Sequence, residues 1–199
     1  TVRFRDGEAS GVRALEDLFS FLGASRRHGK RAVERAYEAR RAFAGARLAA
    51  GREALNLLDA GEERGVVLTG RAYTLYDLAL NLDVPGKLRD HYSVNVIPLD
   101  FLPLDEEEIA DINDNMYWNS GRRILAAARI TGRRSRLDLI HITNFKCGPD
   151  SYIKHYIGEA LGKPFLTLSF DGHGTDAGIM TRCEAYLESK GILGRWKVS

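Results

Sequence analysis

The hydrophobic pattern of this chain changes character near residue 61. Residues 11–60 are rich in Ala, Arg, Glu and Leu and contain no proline. Within them Val33, Ala36, Tyr37, Phe43 and Ala44 fall at three-, four- and seven-residue steps, the spacing of one helical stripe. Gly23–Ser25 is expected to separate a short first helix from this long second one. Beyond Gly61 short apolar runs alternate with helix-like segments. GVVLTG (65–70), SVNVIPLD (93–100), LDLIHITNF (137–145) and PFLTLSFD (164–171) read as strands. Helices are expected near 75–90, 105–131, 149–161 and 175–190. Such alternation predicts an α/β fold with a mostly parallel four-stranded sheet and helices on both faces. The division expected is an N-terminal helical segment, 1–62, and an α/β domain, 63–199.

In a sheet of this kind ligands collect beyond the carboxyl ends of the strands. That directs attention to the loops 70–77, 100–105, 144–151 and 171–176. In NFKCGPDSYIKHYIGEAL, Pro149 suits the first turn of a helix, where its missing N–H is no loss. Tyr152, Ile153, Tyr156, Ile157, Ala160 and Leu161 then form an apolar stripe. Cys147 thus stands just before a helix, near the positive end of its dipole, a place that favours the thiolate. Two readings stand: a metal, cluster or redox thiol, or a small apolar side chain filling a strand end. Cys183 shares a helical stripe with Ile179, Met180, Tyr186 and Leu187 and is read as core.

The other loops are less specific. FDGHGTDAG offers His173 as a base for Cys147, although Thr175 or Asp176 as a helix cap with an exposed His173 is the simpler account. GRAYTLYDLALN carries only Gly70 of a G-x-G-x-x-G pattern, so the dinucleotide fingerprint is absent. Arg71 remains a candidate for a phosphate or carboxylate, and Thr74 to Asp77 reads as a capping box. Asp105–Glu108 are expected in the first turn of the helix near 105–131, after the second strand, compensating its dipole. Tyr117 and Trp118 are expected inside that helix, in the core.

Composition narrows the function classes. The chain has 199 residues, 44% hydrophobic and 28% charged, with a net charge of +2. Near balance gives no electrostatic case for nucleic acid. Arg31, Arg35, Arg40, Arg41 and Arg47 on the long helix are interleaved with Glu34, Glu38 and Glu53, the pattern of a solvated face. Two cysteines make no disulfide framework, and a reducing cytoplasmic setting is expected. No apolar run reaches the ~18 residues of a membrane span. The N-terminus lacks both a signal-peptide core and an initiator Met, so a piece of a longer chain is expected.

Several blocks in fixed order carry a family resemblance: GRAYTLYDLALN, VIPLDFLPLD, NMYWNSGRRIL, TNFKCGPDSYI and DGHGTDAGIMTRCEAYLE. They resemble the C-terminal region of proteins related to the activators of 2-hydroxyacyl-CoA dehydratases. That region is similar to the dehydratase and benzoyl-CoA reductase subunits. The resemblance spans most of residues 26–199. It implies a Rossmann-like, doubly wound α/β fold and cysteine-ligated [4Fe–4S] chemistry fed with low-potential electrons by an ATP-hydrolysing activator. Cys147 stands where the family places a cluster ligand, and Cys183 where it places an apolar residue. The further cysteines and the ATPase segment of the full pattern are missing. An isolated cysteine cannot hold a cluster, which wants about four ligands. The expectation is therefore a domain contributing Cys147 to a [4Fe–4S] cluster completed by an upstream ATPase or dehydratase segment or subunit. Arg71, Tyr73, Asn144, Asp150 and His173 would line the same sheet edge around the cluster or an acyl-CoA-like ligand. The alternative is a non-catalytic docking domain that keeps the fold.

Overall fold

The computed structural model describes residues 7–144, 146–172 and 176–193. Contacts divide the chain into two units, 1–49 and 50–199.

The first unit is helical. It contains α1 (Glu8–Ala14), α2 (Glu16–Phe21) and the start of α3 (Arg26–Ala60). The region before the long helix thus holds two helices where one was expected. Their own small core is Phe19, Val33 and Tyr37, flanked by Val12, Leu15 and Ala24. Gly29 allows Phe19 to lie against α3, since a Cβ there would fall 2.2 Å from the ring. Only part of the predicted stripe is buried. Val33 and Tyr37 are inside, whereas Phe43 is 67% exposed with the Arg47 guanidinium 5.5 Å over its ring. A stripe about three turns long needs a partner of the same length, and the short α1 and α2 cover only its beginning.

The second unit is the α/β domain. Its four strands are β1 (Gly65–Gly70), β2 (Asn95–Pro98), β3 (Leu137–Asn144) and β4 (Leu166–Phe170). They form one sheet in the order β2-β1-β3-β4, parallel throughout. Every residue of β1 and the first seven of β3 are buried. Unbroken burial in a pleated strand means that both faces are covered, which is why these runs are apolar rather than alternating. The covering helices are α4 (Ala72–Tyr76), α5 (Leu78–Asn81), α6 (Val84–Tyr92), α7 (Asn119–Gly132), α8 (Gly148–Leu161) and α9 (Asp176–Ser189). The expected Rossmann-like, doubly wound arrangement is what the chain forms.

Two predicted helices are not continuous. The segment near 75–90 is α4, α5 and α6. Asp77 caps α5 through Ala79 and Leu80 N–H, and Leu82 and Asp83 turn left-handed at φ 54° and 52°. Pro85 then opens α6, where its missing N–H costs nothing. Near 105–131 only Asn119–Gly132 is α-helical. The acidic run before it is drawn out to arginines: Glu106 to Arg52, Glu107 to Arg133 and Asp111 to Arg129. The Asn and Asp residues that follow favour turns. Among the described residues no helix is long and apolar enough to cross a membrane.

Candidate functional site

Chain order makes β1 a branching point. β2 lies on one side of it, and β3, the next strand in sequence, on the other. The crevice outside the carboxyl ends of β1 and β3 is the topological switch point, where open α/β sheets bind ligands.

Each strand delivers a functional side chain there. At the end of β1 a Cβ on Gly70 would meet the Ile142 carbonyl at 2.6 Å, so glycine lets the strand leave the sheet at close range. Arg71 follows as the N-cap of α4, its carbonyl accepting from the Thr74 N–H and hydroxyl. Thr74 is therefore not the cap of a box. Its hydroxyl faces back to Arg71, and Asp77 caps the next helix instead. At the end of β3, Lys146 adopts φ 59°, and the Cys147 N–H donates to the Asn144 carbonyl at 3.2 Å. Cys147 is the N-cap of α8, with Pro149 in the first turn.

The two loops meet through a forked arginine. Arg71 Nε donates to Asp150 Oδ1 at 3.1 Å and Arg71 Nη2 to Cys147 Sγ at 3.1 Å. The Asp150 side chain is 4% exposed and that of Arg71 26%. Its other oxygen, Oδ2, accepts from the Thr143 hydroxyl at 2.6 Å. Burial alone would lower the Arg71 pKa. The charges of Asp150, Cys147 and Tyr73 outweigh it, and the guanidinium is held above its ordinary value. Alongside, Asn144 Nδ2 donates to the Tyr73 hydroxyl at 3.4 Å. Cys147 is half-buried. A partly exposed thiol that accepts a hydrogen bond from a fixed guanidinium is open to ligands as well as to solvent.

The structure thus brings Arg71, Tyr73, Asn144, Cys147 and Asp150 to one edge. His173 lies outside the described residues. Cys183 is fully buried, and burial pushes its thiol up to about 11, as its place on the α9 stripe predicts. Trp118 is the N-cap of α7 and 40% exposed, and Tyr117 is 90% exposed, so neither belongs to the core. Trp118 instead stacks edge-on against Tyr152, 5.8 Å between centroids.

Sequence reasoning missed the polar layer beneath the site. Thr143 holds Asp150, and Thr69 meets His141 Nδ1 at 3.1 Å between β1 and β3. His141 is wholly buried and its Nε2 has no partner among the described residues. Burial pushes its pKa down to about 4, against the pull of Asp150, so the ring is neutral near pH 7. The available signal was polar His141 and Thr143 inside LIHIT, a run buried on both faces. A second missed group is Asp100, which pairs with Arg123 and accepts from the Tyr76 hydroxyl at 2.9 Å.

Two cavities open at the strand ends, one beside β3 and β4 and one beside β1 that Arg71 lines. One of about 450 Å³ is walled by Leu80, Leu82, Asn144, Ser169, Phe170 and Ile179. A smaller one of about 160 Å³ is lined by Arg71, Asp100, Ser120 and Arg123. Among the described residues no three His, Cys, Asp or Glu side chains are grouped to hold a metal ion. Among the described residues one thiol stands at this edge, fewer than the about four ligands a cluster needs.

Residues 1–102 match the family described as CoA enzyme activase uncharacterised domain. The chain belongs to this family. In this CoA enzyme activase domain the matched residues take in the helical unit, β1, Arg71, Tyr73 and β2, while Asn144, Cys147 and Asp150 lie beyond them. No curated protein and no solved structure matches the chain.

Proposed function

We propose that this domain works in a CoA enzyme activase system as an iron–sulfur component, with Cys147 supplying one thiolate to a [4Fe–4S] cluster. The remaining thiolates come from another segment or a partner chain, an activator ATPase or a dehydratase subunit. The observation that carries this reading is the Arg71 fork, which ties Cys147 Sγ to buried Asp150 at the sheet's switch point. A half-buried sulfur held by a fixed cation is poor apolar filler and a suitable ligand. The resemblance of the CGPD block to the dehydratase and benzoyl-CoA reductase subunits supports the same role.

A bound cluster would supply one-electron, low-potential chemistry. The chain's own residues have separable tasks. Arg71 fixes the sulfur and offsets negative charge, and Asp150 and Thr143 fix Arg71. Tyr73 and Asn144 offer a hydroxyl and an amide to an acyl-CoA-like ligand entering beside them. Hydrogen bonds of this kind around a cluster ligand tune its potential. Anaerobic purification of the full-length protein, followed by iron and sulfide analysis, is expected to find both in near-equal amounts. Protein free of iron under those conditions would reject the proposal.

One observation favours a second reading. The described residues hold a single thiol at the site, as a docking domain that keeps the fold without the cofactor would. In that case the protein would capture its activase or dehydratase partner equally well with Cys147 replaced by alanine, and without iron.

A further inference from the structure

The helical unit carries a site that the Cys147 reading does not use. A concavity of about 550 Å³ lies between α1 and the start of α3, lined by Ala9, Val12, Arg13, Arg26, Arg27 and Lys30. Four of its six lining residues are cations, around an apolar floor of Ala9 and Val12. Arg26 pairs with Glu16 at 2.9 Å, and Lys30 with Glu34 at 3.7 Å. Both pairs are largely solvated, 78%/41% and 66%/41% exposed, so they neutralise little. Arg13 and Arg27 have no acidic partner among the described residues.

This arrangement works against the fold that contains it. Arg26 and Arg27 open a 35-residue helix whose first turn has no acid. Cations there oppose the helix dipole, and they also repel Lys30 and Arg13. A local arrangement that lowers stability without a structural return is where function is expected.

We propose that this concavity binds a small organic phosphate, a ligand with two or more phosphate charges on an apolar or aromatic body. Three observations select that class. Three of the four cations are arginines, whose planar fork matches phosphate oxygens in pairs. The volume lies in the range of roughly 300–1,000 Å³ typical of small-molecule sites. Farther along α3 the arginines alternate with Glu34 and Glu38, so the positive charge does not continue into the track that a nucleic-acid strand requires.

The test is titration calorimetry of the full-length protein with inorganic pyrophosphate, ADP and coenzyme A at fixed salt. Saturable binding of ADP or coenzyme A, tighter than that of pyrophosphate, is expected because only they reach the apolar floor. The double variant Arg13→Gln/Arg27→Gln changes exposed side chains and should fold. It is expected to weaken binding roughly ten-fold or more, the loss of one charge-assisted hydrogen bond. Arg31→Gln/Arg40→Gln, of equal charge change elsewhere on α3, should leave binding intact. Ala9→Asp, at an exposed lining position, should abolish it while circular dichroism stays unchanged. No saturable binding of any probe, equal losses in the two arginine pairs, or saturation only by single-stranded RNA or anionic vesicles would overturn the proposal. Asn144→Ala, at the sheet edge where an acyl-CoA-like ligand is also proposed, should leave this binding intact, and a loss there equal to that of Arg13→Gln/Arg27→Gln would overturn the proposal.

Discussion

Asp150→Asn tests how the site is built. The substitution keeps the shape of the side chain and removes its charge. It leaves Arg71 without its anion, deprives the Thr143 hydroxyl of a carboxylate, and takes an acid from the first turn of α8. Removing one partner of a buried ion pair costs about 3–5 kcal/mol. Here Asp150 is 4% exposed but Arg71 is 26% exposed, so water partly recovers the orphaned guanidinium. The expected loss is therefore ~2–3 kcal/mol. Arg71→Met should cost less, ~1–2 kcal/mol, because Thr143 and the helix N-terminus still serve the carboxylate. The double variant should show a coupling of ~1–2 kcal/mol. Urea unfolding followed by circular dichroism measures all three. An Asp150→Asn variant within about 0.5 kcal/mol of the parent, with no coupling to Arg71, would mean that the fork is an ordinary solvated pair. The account of a fixed cation beside Cys147 would then fail.

Four further outcomes are expected. His141 has its pKa lowered to about 4, so between that value and the ordinary ~6.5 the unfolded chain binds a proton that the folded chain does not. Its contribution to stability is thus full above about pH 6.5 and shrinks by up to ~1.4 kcal/mol per unit as pH falls toward 4. Unfolding free energies measured from pH 4.5 to 7 should show a shallower slope in His141→Gln, and an identical slope would contradict this. Iodoacetamide on the native protein should label Cys147, which is half-buried, and reach Cys183, which is 0% exposed, only on unfolding; peptide mass spectrometry distinguishes the two. Gly45→Ala meets nothing within 4 Å in a helix interior and should stabilise by ~0.5–1 kcal/mol. Gly51→Ala would put its Cβ 1.8 Å from the Phe101 carbonyl and should destabilise by more than ~2 kcal/mol in a thermal melt.

The four strands were legible because each is an apolar run closed by a polar loop, and Pro149 and Cys147 marked the start of α8. Cys183 was legible as core from its helical spacing. Other features depend on partners distant in sequence. The 105–118 segment reads as helix by its acids, yet those acids are held by Arg52, Arg129 and Arg133. Thr74-x-x-Asp77 satisfies a capping pattern, but the left-handed turn at Leu82–Asp83 and Pro85 divide the region into three helices. The candidates Arg71, Tyr73, Asn144 and Asp150 followed from the family resemblance of their blocks together with the rule that strand ends carry chemistry. The fork that joins Arg71 to Cys147 spans 76 positions, and nothing local in either loop encodes it. His141 and Thr143 were visible as polar residues in a buried strand, without any sign of what they face.

The most direct measurement is the iron and acid-labile sulfide content of anaerobically prepared full-length protein, compared between Cys147→Ala and Cys183→Ala. The account predicts that the first loses cluster iron and its visible absorbance while the second keeps both. Equal iron in the two variants would contradict it.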